Sequence, residues 1–196
     1  MNYKKSNGIY VFAMLGGLVA TICDGIHVHT RTLAYAKPFL FRQAWWVFPL
    51  FVLTFLFMGF AYLFLCDHLT SNIPCQKSSS KGNSREFVEA VTAFVLVYML
   101  SGFGNFEPIL LSVIFYGIFA VRCFFSYDRS WLLILSISMA IGGMFAEGVI
   151  SSAGMMIYRH VDVFYVPLWL GGLYMHGAFA LREGMRYFIY ESKEDL

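Results

Sequence analysis

Residues 44–66 contain no charged side chain. As an α-helix this run would reach roughly 34 Å at 1.5 Å per residue, slightly more than the roughly 30 Å of hydrocarbon in a bilayer. In water, such a helix would have to be covered on every side. The remaining chain has little polar coating to offer, since 59% of its 196 residues are hydrophobic and only 13% are charged. A water-facing globule of this size needs more polar surface than that, and a bilayer removes the need. The fold expected is an all-α polytopic membrane bundle forming one membrane domain, residues 1–196.

Five further apolar runs cover residues 8–26, 87–103, 108–125, 131–157 and 163–181. Glu89 near the start of 87–103 and Arg122 near the end of 108–125 can snorkel to an interface. Glu147 interrupts the fifth span and His176 the sixth. The first run follows Lys4 and Lys5, as a secretory signal peptide would, but Val19-Ala20-Thr21-Ile22-Cys23 offers no A-x-A cleavage pattern. Its roughly 28 Å helical length suits a span. Six spans leave both termini on one side. Lys and Arg number ten on the terminal side, counting Lys4, Lys5 and Lys193, against four on the other, so both termini are expected in the cytoplasm.

The connection 67–86 carries Ser78-Ser79-Ser80-Lys81-Gly82-Asn83 and reads as a flexible cytoplasmic loop. Residues 182–196 read as a cytoplasmic tail, with Arg182, Arg186 and Tyr187 running out along an anionic leaflet. A net charge of +2 and the lack of a basic run exclude a nucleic-acid partner. Cys23, Cys66, Cys75 and Cys123 have no metal-like spacing and read as buried free thiols. Cys66 and Cys75 could bridge one loop, but a cytosolic loop disfavours a disulfide.

A charge deep in a bilayer costs on the order of 2.5 to 3.5 kcal/mol, so each one requires a reason. Asp24 and Glu147 both lie roughly 24 Å along their spans, in the outer half. His27 is one turn beyond Asp24, whereas His176, about 20 Å inward from Val163, is too far from Glu147 to pair. Gly16, Ala20 and Asp24 form one i, i+4 stripe and Gly143, Glu147 and Ser151 another, and small stripes mark helix contacts. Two readings of the carboxylates stand. They are interfacial groups hydrogen-bonded to a loop, or the polar end of an intramembrane cavity that accepts the headgroup of a lipid. Trp45 and Trp46 suit an aromatic belt at the outer mouth.

Five histidines invite a metal reading, but His27 and His29 project about 200° apart on a helix and no HExxH occurs. No GxSxG nucleophile signature is found. Neither metal, cofactor nor catalytic residue is expected.

Several segments resemble the insulin-induced gene (Insig) family. Ala44-Trp45-Trp46-Val47-Phe48-Pro49 resembles its AWWVPP, Asp67-His68-Leu69 its D-x-H-L, and Arg85-Glu86-Phe87 its REW. Ser126-Tyr127-Asp128-Arg129-Ser130 is similar to its TFDRS, and Asp162-Val163-Phe164-Tyr165 to its DFLY. The matches are collinear and reach to about Tyr187. The resemblance implies six spans, no enzymatic activity, and a cavity holding a sterol in animal members or a diacylglycerol in bacterial ones. In animals, lipid loading favours docking to Scap and HMG-CoA reductase. Asp128 matches the aspartate needed there for partner binding, although an aspartate at that place also suits a helix cap. Phe48 replaces a proline, the cysteines of the family's second helix are missing, and Glu147 stands near its helix-five glutamine. Without the long animal N-terminal segment or an N-x-S/T site, the chain looks more like a bacterial member.

The function expected is a membrane lipid-binding protein, for diacylglycerol or a sterol-like lipid, that regulates a polytopic membrane partner. Asp24, His27, Trp45, Trp46, Glu147, Ser151 and His176 are the candidate ligand residues, and Asp128 the candidate partner residue. The cavity should be lined by the second, third, fifth and sixth spans and open to the outer half of the bilayer. A bacterial cytoplasmic membrane is the expected location, or the endoplasmic reticulum in a eukaryote. The alternatives are a small-solute or proton-coupled transporter using Asp24 and Glu147, and a membrane enzyme acting on lipid.

Overall fold

Each apolar run becomes a helix whose ends are set by residues that cannot continue it. A computed structural model describes residues 7–69, 73 and 75–191; Lys4, Lys5 and Lys193 lie outside the described residues. The helices are α1 (Asn7–His29), α2 (Val47–Leu69), α3 (Ser84–Phe103), α4 (Pro108–Phe124), α5 (Arg129–Ser152) and α6 (Trp169–Phe188). The Asn83 side chain accepts the Glu86 N–H at 2.8 Å to start α3, and Pro108, which lacks an N–H, opens α4. By length and apolar composition α1, α2, α3 and α5 can each cross a membrane, and α4 is a shorter apolar helix.

Two boundaries differ from the runs of apolar residues. Residues 131–157 do not stay helical, because Gly154 adopts a left-handed φ of 69° just after α5. Met156–Tyr158 then forms β2, antiparallel to β1 (Leu33–Tyr35), with Leu33 opposite Tyr158 and Tyr35 opposite Met156. Residues 163–168 precede α6 rather than joining it. Val163 and Val166 close a turn whose central residues, Phe164 and Tyr165, both have positive φ, as a type I′ turn demands. Pro167 follows, and Asp162 Oδ2 accepts the Leu168 N–H at 2.9 Å. His176 consequently sits only seven residues into α6, roughly 10 Å from its start.

Helix α6 is the axis of the bundle, packed by α5, α3, α4 and α1 and barely met by α2, which leans on α1. Close approach needs small residues. A Cβ on Gly172 would lie 2.8 Å from Phe115 Cβ, so α4 can reach α6 only because no side chain is there. Outward-facing residues are greasy, with Leu53 62% and Ile141 67% exposed, the pattern of helices solvated by lipid. The start of α1 and the end of α6 meet, Gly8 lying against the Phe188 backbone.

The expected tail is corrected here. Arg182 and Arg186 are buried inside α6 instead of lying along a leaflet. Glu183 accepts from Arg182 Nε at 2.9 Å, from Arg186 Nη1 at 2.5 Å and from the Tyr127 hydroxyl, while Glu86 takes Arg186 Nη1 at 2.5 Å. Burial, with Glu183 adding to it, raises the Tyr127 phenol above its ordinary value and keeps it a donor. Two carboxylates thus neutralise two arginines that water would otherwise have to solvate. The described part of the connection 67–86 is likewise docked and not loose. Ser78 is fully buried, its carbonyl accepts from the Tyr62 hydroxyl at 2.9 Å, and Lys81 Nζ donates to the Tyr187 carbonyl at 2.8 Å. All four cysteines are free and buried.

Candidate functional site

Because α2 packs on α1 while α5 packs on α6, the two pairs diverge and leave a cavity of about 560 Å³, within the usual range for small-molecule sites. Its wall is built from α1, α2, α3, α5 and α6, so α1 joins the four spans expected from sequence. Along α2 the lining runs from Val47 to Leu65, roughly 27 Å of helix rise. The small-residue stripes prove to be cavity wall as well as helix contact: Gly16 and Ala20 on α1 and Gly142, Gly143 and Ala146 on α5 all face the space. Leu53 and Phe57 on α2, and Gly142 and Ala146 on α5, line the cavity and are also exposed on the outside of the bundle. The mouth therefore opens sideways, between α2 and α5, toward the bilayer.

One end of this apolar slot is polar. Asp24 Oδ2 accepts from the Tyr35 hydroxyl at 2.9 Å and from Gln43 Nε2 at 2.8 Å. Glu147 accepts from the hydroxyls of Tyr158 and Tyr174. The two-stranded sheet makes this possible, since Tyr35 and Tyr158 occupy its inward positions. Burial first, and then the facing carboxylate, lifts both strand phenols above their ordinary range, so they act as donors. Gly143 admits the Tyr174 ring, which would lie 2.5 Å from a Cβ placed there. Among the described residues the cavity wall holds no lysine, arginine, histidine or cysteine.

Of the candidate ligand residues, Asp24, Trp46 and Glu147 line the cavity, and Trp46 meets Tyr35 edge-on at 5.4 Å. The other four do not. Trp45 is 71% exposed on the outer surface. His27 bonds Ser101 Oγ at 2.7 Å and packs on Tyr98 and Trp169. Ser151 is half-buried away from the wall. His176 Nε2 faces the Phe115 carbonyl at 3.1 Å and its Nδ1 faces Arg122 Nη1 at 2.8 Å. Only the tautomer protonated at Nε2 satisfies both contacts, so this imidazole is neutral. Among the described residues no three His, Cys, Asp or Glu side chains converge to hold a metal ion.

Asp128 makes no side-chain cap on α5 and adopts a left-handed φ of 45°. Its Oδ2 instead accepts from the N–H and Oγ of Ser78 at 2.7 and 2.8 Å, clipping the loop after α2 to the start of α5. Sequence reading missed Tyr35, Gln43, Tyr98, Tyr158 and Tyr174. No local spacing identifies them, because the sheet that delivers Tyr35 and Tyr158 pairs two loops separated by four helices.

No family model and no curated protein matches the sequence. Two solved structures do match the fold. One is the mycobacterial Insig homolog MvINS from Mycobacterium vanbaalenii, with a TM-score of 0.77, and the other a cross-linked MvINS trimer carrying a cysteine substitution, with a TM-score of 0.75. Each is 20% identical and covers 95% of this chain and 96% of that chain. The correspondence is one of fold over nearly the whole chain. The chain is an integral membrane protein with the fold of the mycobacterial Insig homolog.

Proposed function

We propose that the protein is a non-enzymatic membrane receptor for a lipid of the diacylglycerol or sterol-like class, held in the cavity between α1–α2 and α5–α6. The observation that carries this reading is the shape of that space: a long, mostly apolar slot, open sideways to the bilayer, with its two carboxylates, Asp24 and Glu147, at one end. A lipid arriving from the membrane would enter tail and head together, without crossing water. Binding rather than turnover is supported by the carboxylates, which are already held by tyrosine hydroxyls and Gln43. Proton-coupled transport through Asp24 and Glu147 fits less well, because among the described residues the rest of the wall, around Phe12, Phe55, Tyr62 and Leu181, holds no further carboxylate, histidine, lysine or arginine.

The Asp128–Ser78 clip lies at the opposite end, where the start of α1 and the end of α6 meet. A partner-docking role for this end, with regulation of a polytopic membrane partner, rests on the motif around Asp128. A bacterial cytoplasmic membrane with cytoplasmic termini is the setting supported by the charge asymmetry. The test is mass spectrometry of lipid retained by protein purified in detergent, beside Gly142→Trp, whose side chain enters open space at the mouth. A stoichiometric acyl or sterol-like lipid in the parent, depleted in the variant, is expected. Equal bulk-lipid traces in both would overturn the reading.

A further inference from the structure

The geometry points to a second binding site, at the end of α4 and apart from the cavity: Arg122 receives the phosphate of an anionic lipid from the leaflet at that end. The site stands independently of the receptor reading, because neither Arg122 nor its contacts His176 and Phe179 lie on the cavity wall.

An arginine in the last turn of a membrane helix ordinarily stretches its side chain out to water, and the sequence leads one to expect that here. Arg122 turns inward instead. Its Nη1 donates to His176 Nδ1 at 2.8 Å, and its guanidinium lies over the Phe179 ring at 4.1 Å. Both partners precede Arg182 on α6, and Arg182 is the residue that bonds Ser126 Oγ and the Tyr127 carbonyl just beyond α4. The charge of Arg122 therefore sits roughly 5–9 Å inside the level at which α4 ends. A cation at that depth calls for a counter-ion, and the protein offers none. The carboxylates of this end are engaged elsewhere: Glu183 with Arg182 and Arg186, Glu86 with Arg186 and Lys77, and Asp128 with Ser78. No carboxylate of a described residue comes within ion-pair distance of Arg122.

His176 fixes which edge of the guanidinium is left over. Its Nε2–H donates to the Phe115 carbonyl at 3.1 Å, so Nδ1 presents a lone pair to Arg122 Nη1. The Nε and Nη2 groups of Arg122 bond no described residue, and neither is sealed inside the bundle. These two N–H groups form the fork that takes two oxygens of a phosphate at once. Ile118 and Phe125, one turn before and after Arg122, are 45% and 80% exposed, so the fork lies on a strip of α4 bathed by acyl chains. A soluble anion would have to leave water to reach it. A lipid phosphate arrives with chains that cover Ile118 and Val121, while Arg129, exposed over the Phe124 ring at 5.0 Å, adds a cation at the headgroup level. By its charge asymmetry this end faces the cytoplasmic leaflet, where anionic lipids attract such cations.

The experiment is native mass spectrometry of the full chain in a nonionic detergent, titrated with dioleoylphosphatidylglycerol and, separately, with dioleoylphosphatidylcholine. The parent should bind phosphatidylglycerol at least about tenfold more tightly, the ratio that one charge-assisted contact yields. Arg122→Gln should bring the two lipids to within about threefold of each other, whereas Arg85→Gln, which removes an exposed cation at the same end, should leave the preference unchanged. Should Arg122→Gln elute aggregated, Arg122→Lys replaces it: the charge stays, the fork is lost, and the preference should fall at least about threefold. Equal binding of the two lipids by the parent overturns the site, as does a preference that survives in the Arg122 variant or is lost equally in Arg85→Gln. Millimolar inorganic phosphate should not displace the bound phosphatidylglycerol; displacement would overturn the lipid assignment in favour of a soluble anion.

Discussion

Glu183→Gln tests whether the end of α6 is a buried ionic lock. Glu183 receives Arg182, Arg186 and the Tyr127 hydroxyl, and the three charged side chains are only 5%, 6% and 4% exposed. Glutamine preserves shape but removes the charge and aims an amide donor at a guanidinium. Two buried arginines would then share Glu86, which is itself 34% exposed. Breaking a buried pair costs about 3–5 kcal/mol, because the uncompensated charge stays in the interior. At roughly 2–4 °C per kcal/mol for a chain of this size, the loss is about 6–20 °C. The assay heats purified protein in detergent and follows the monodisperse peak on size exclusion. Arg85→Ala is the control: its pair with Glu89 is 86% and 61% exposed, and no measurable change is expected. A Glu183→Gln midpoint within about 2 °C of the parent would refute the buried-lock argument.

Other consequences are as definite. Asp128→Ala removes both bonds that hold Ser78, so limited trypsin should cut at Lys77 or Lys81 several-fold faster than in the parent; unchanged cleavage contradicts the clip. Tyr158→Phe deletes a donor to Glu147 and should destabilise by about 1.5–3 kcal/mol, the usual scale for a bond to a charged group, whereas a neutral result would detach the sheet from the carboxylate. Gly143→Val places methyl groups into the Tyr174 ring, which should displace Tyr174 from Glu147 and lower lipid retention together with thermal stability. With all four thiols buried, a bulky maleimide should label the native protein negligibly and the SDS-unfolded protein fully, and rapid native labelling would contradict the packing.

Hydropathy along the chain determined by itself that this is a helical membrane protein, since an uncharged run such as 44–66 leaves the backbone no other way to satisfy its polar groups in hydrocarbon. Asp24 and Glu147 were legible for the same reason: a carboxylate inside an apolar span is costly enough to stand out. The partners of those carboxylates were not legible. Tyr35 and Tyr158 come from loops far apart in sequence, and only the β1–β2 pairing brings them to the two acids. The tail was misread because Arg182 and Arg186 look like interfacial cations until Glu86, 100 residues earlier, is placed beside them. Local pattern reports what one segment requires of its solvent. Which segment serves as solvent for another, as α6 shows by sheltering its charges inside the bundle while α2 presents its apolar surface to lipid, is decided only when the helices pack.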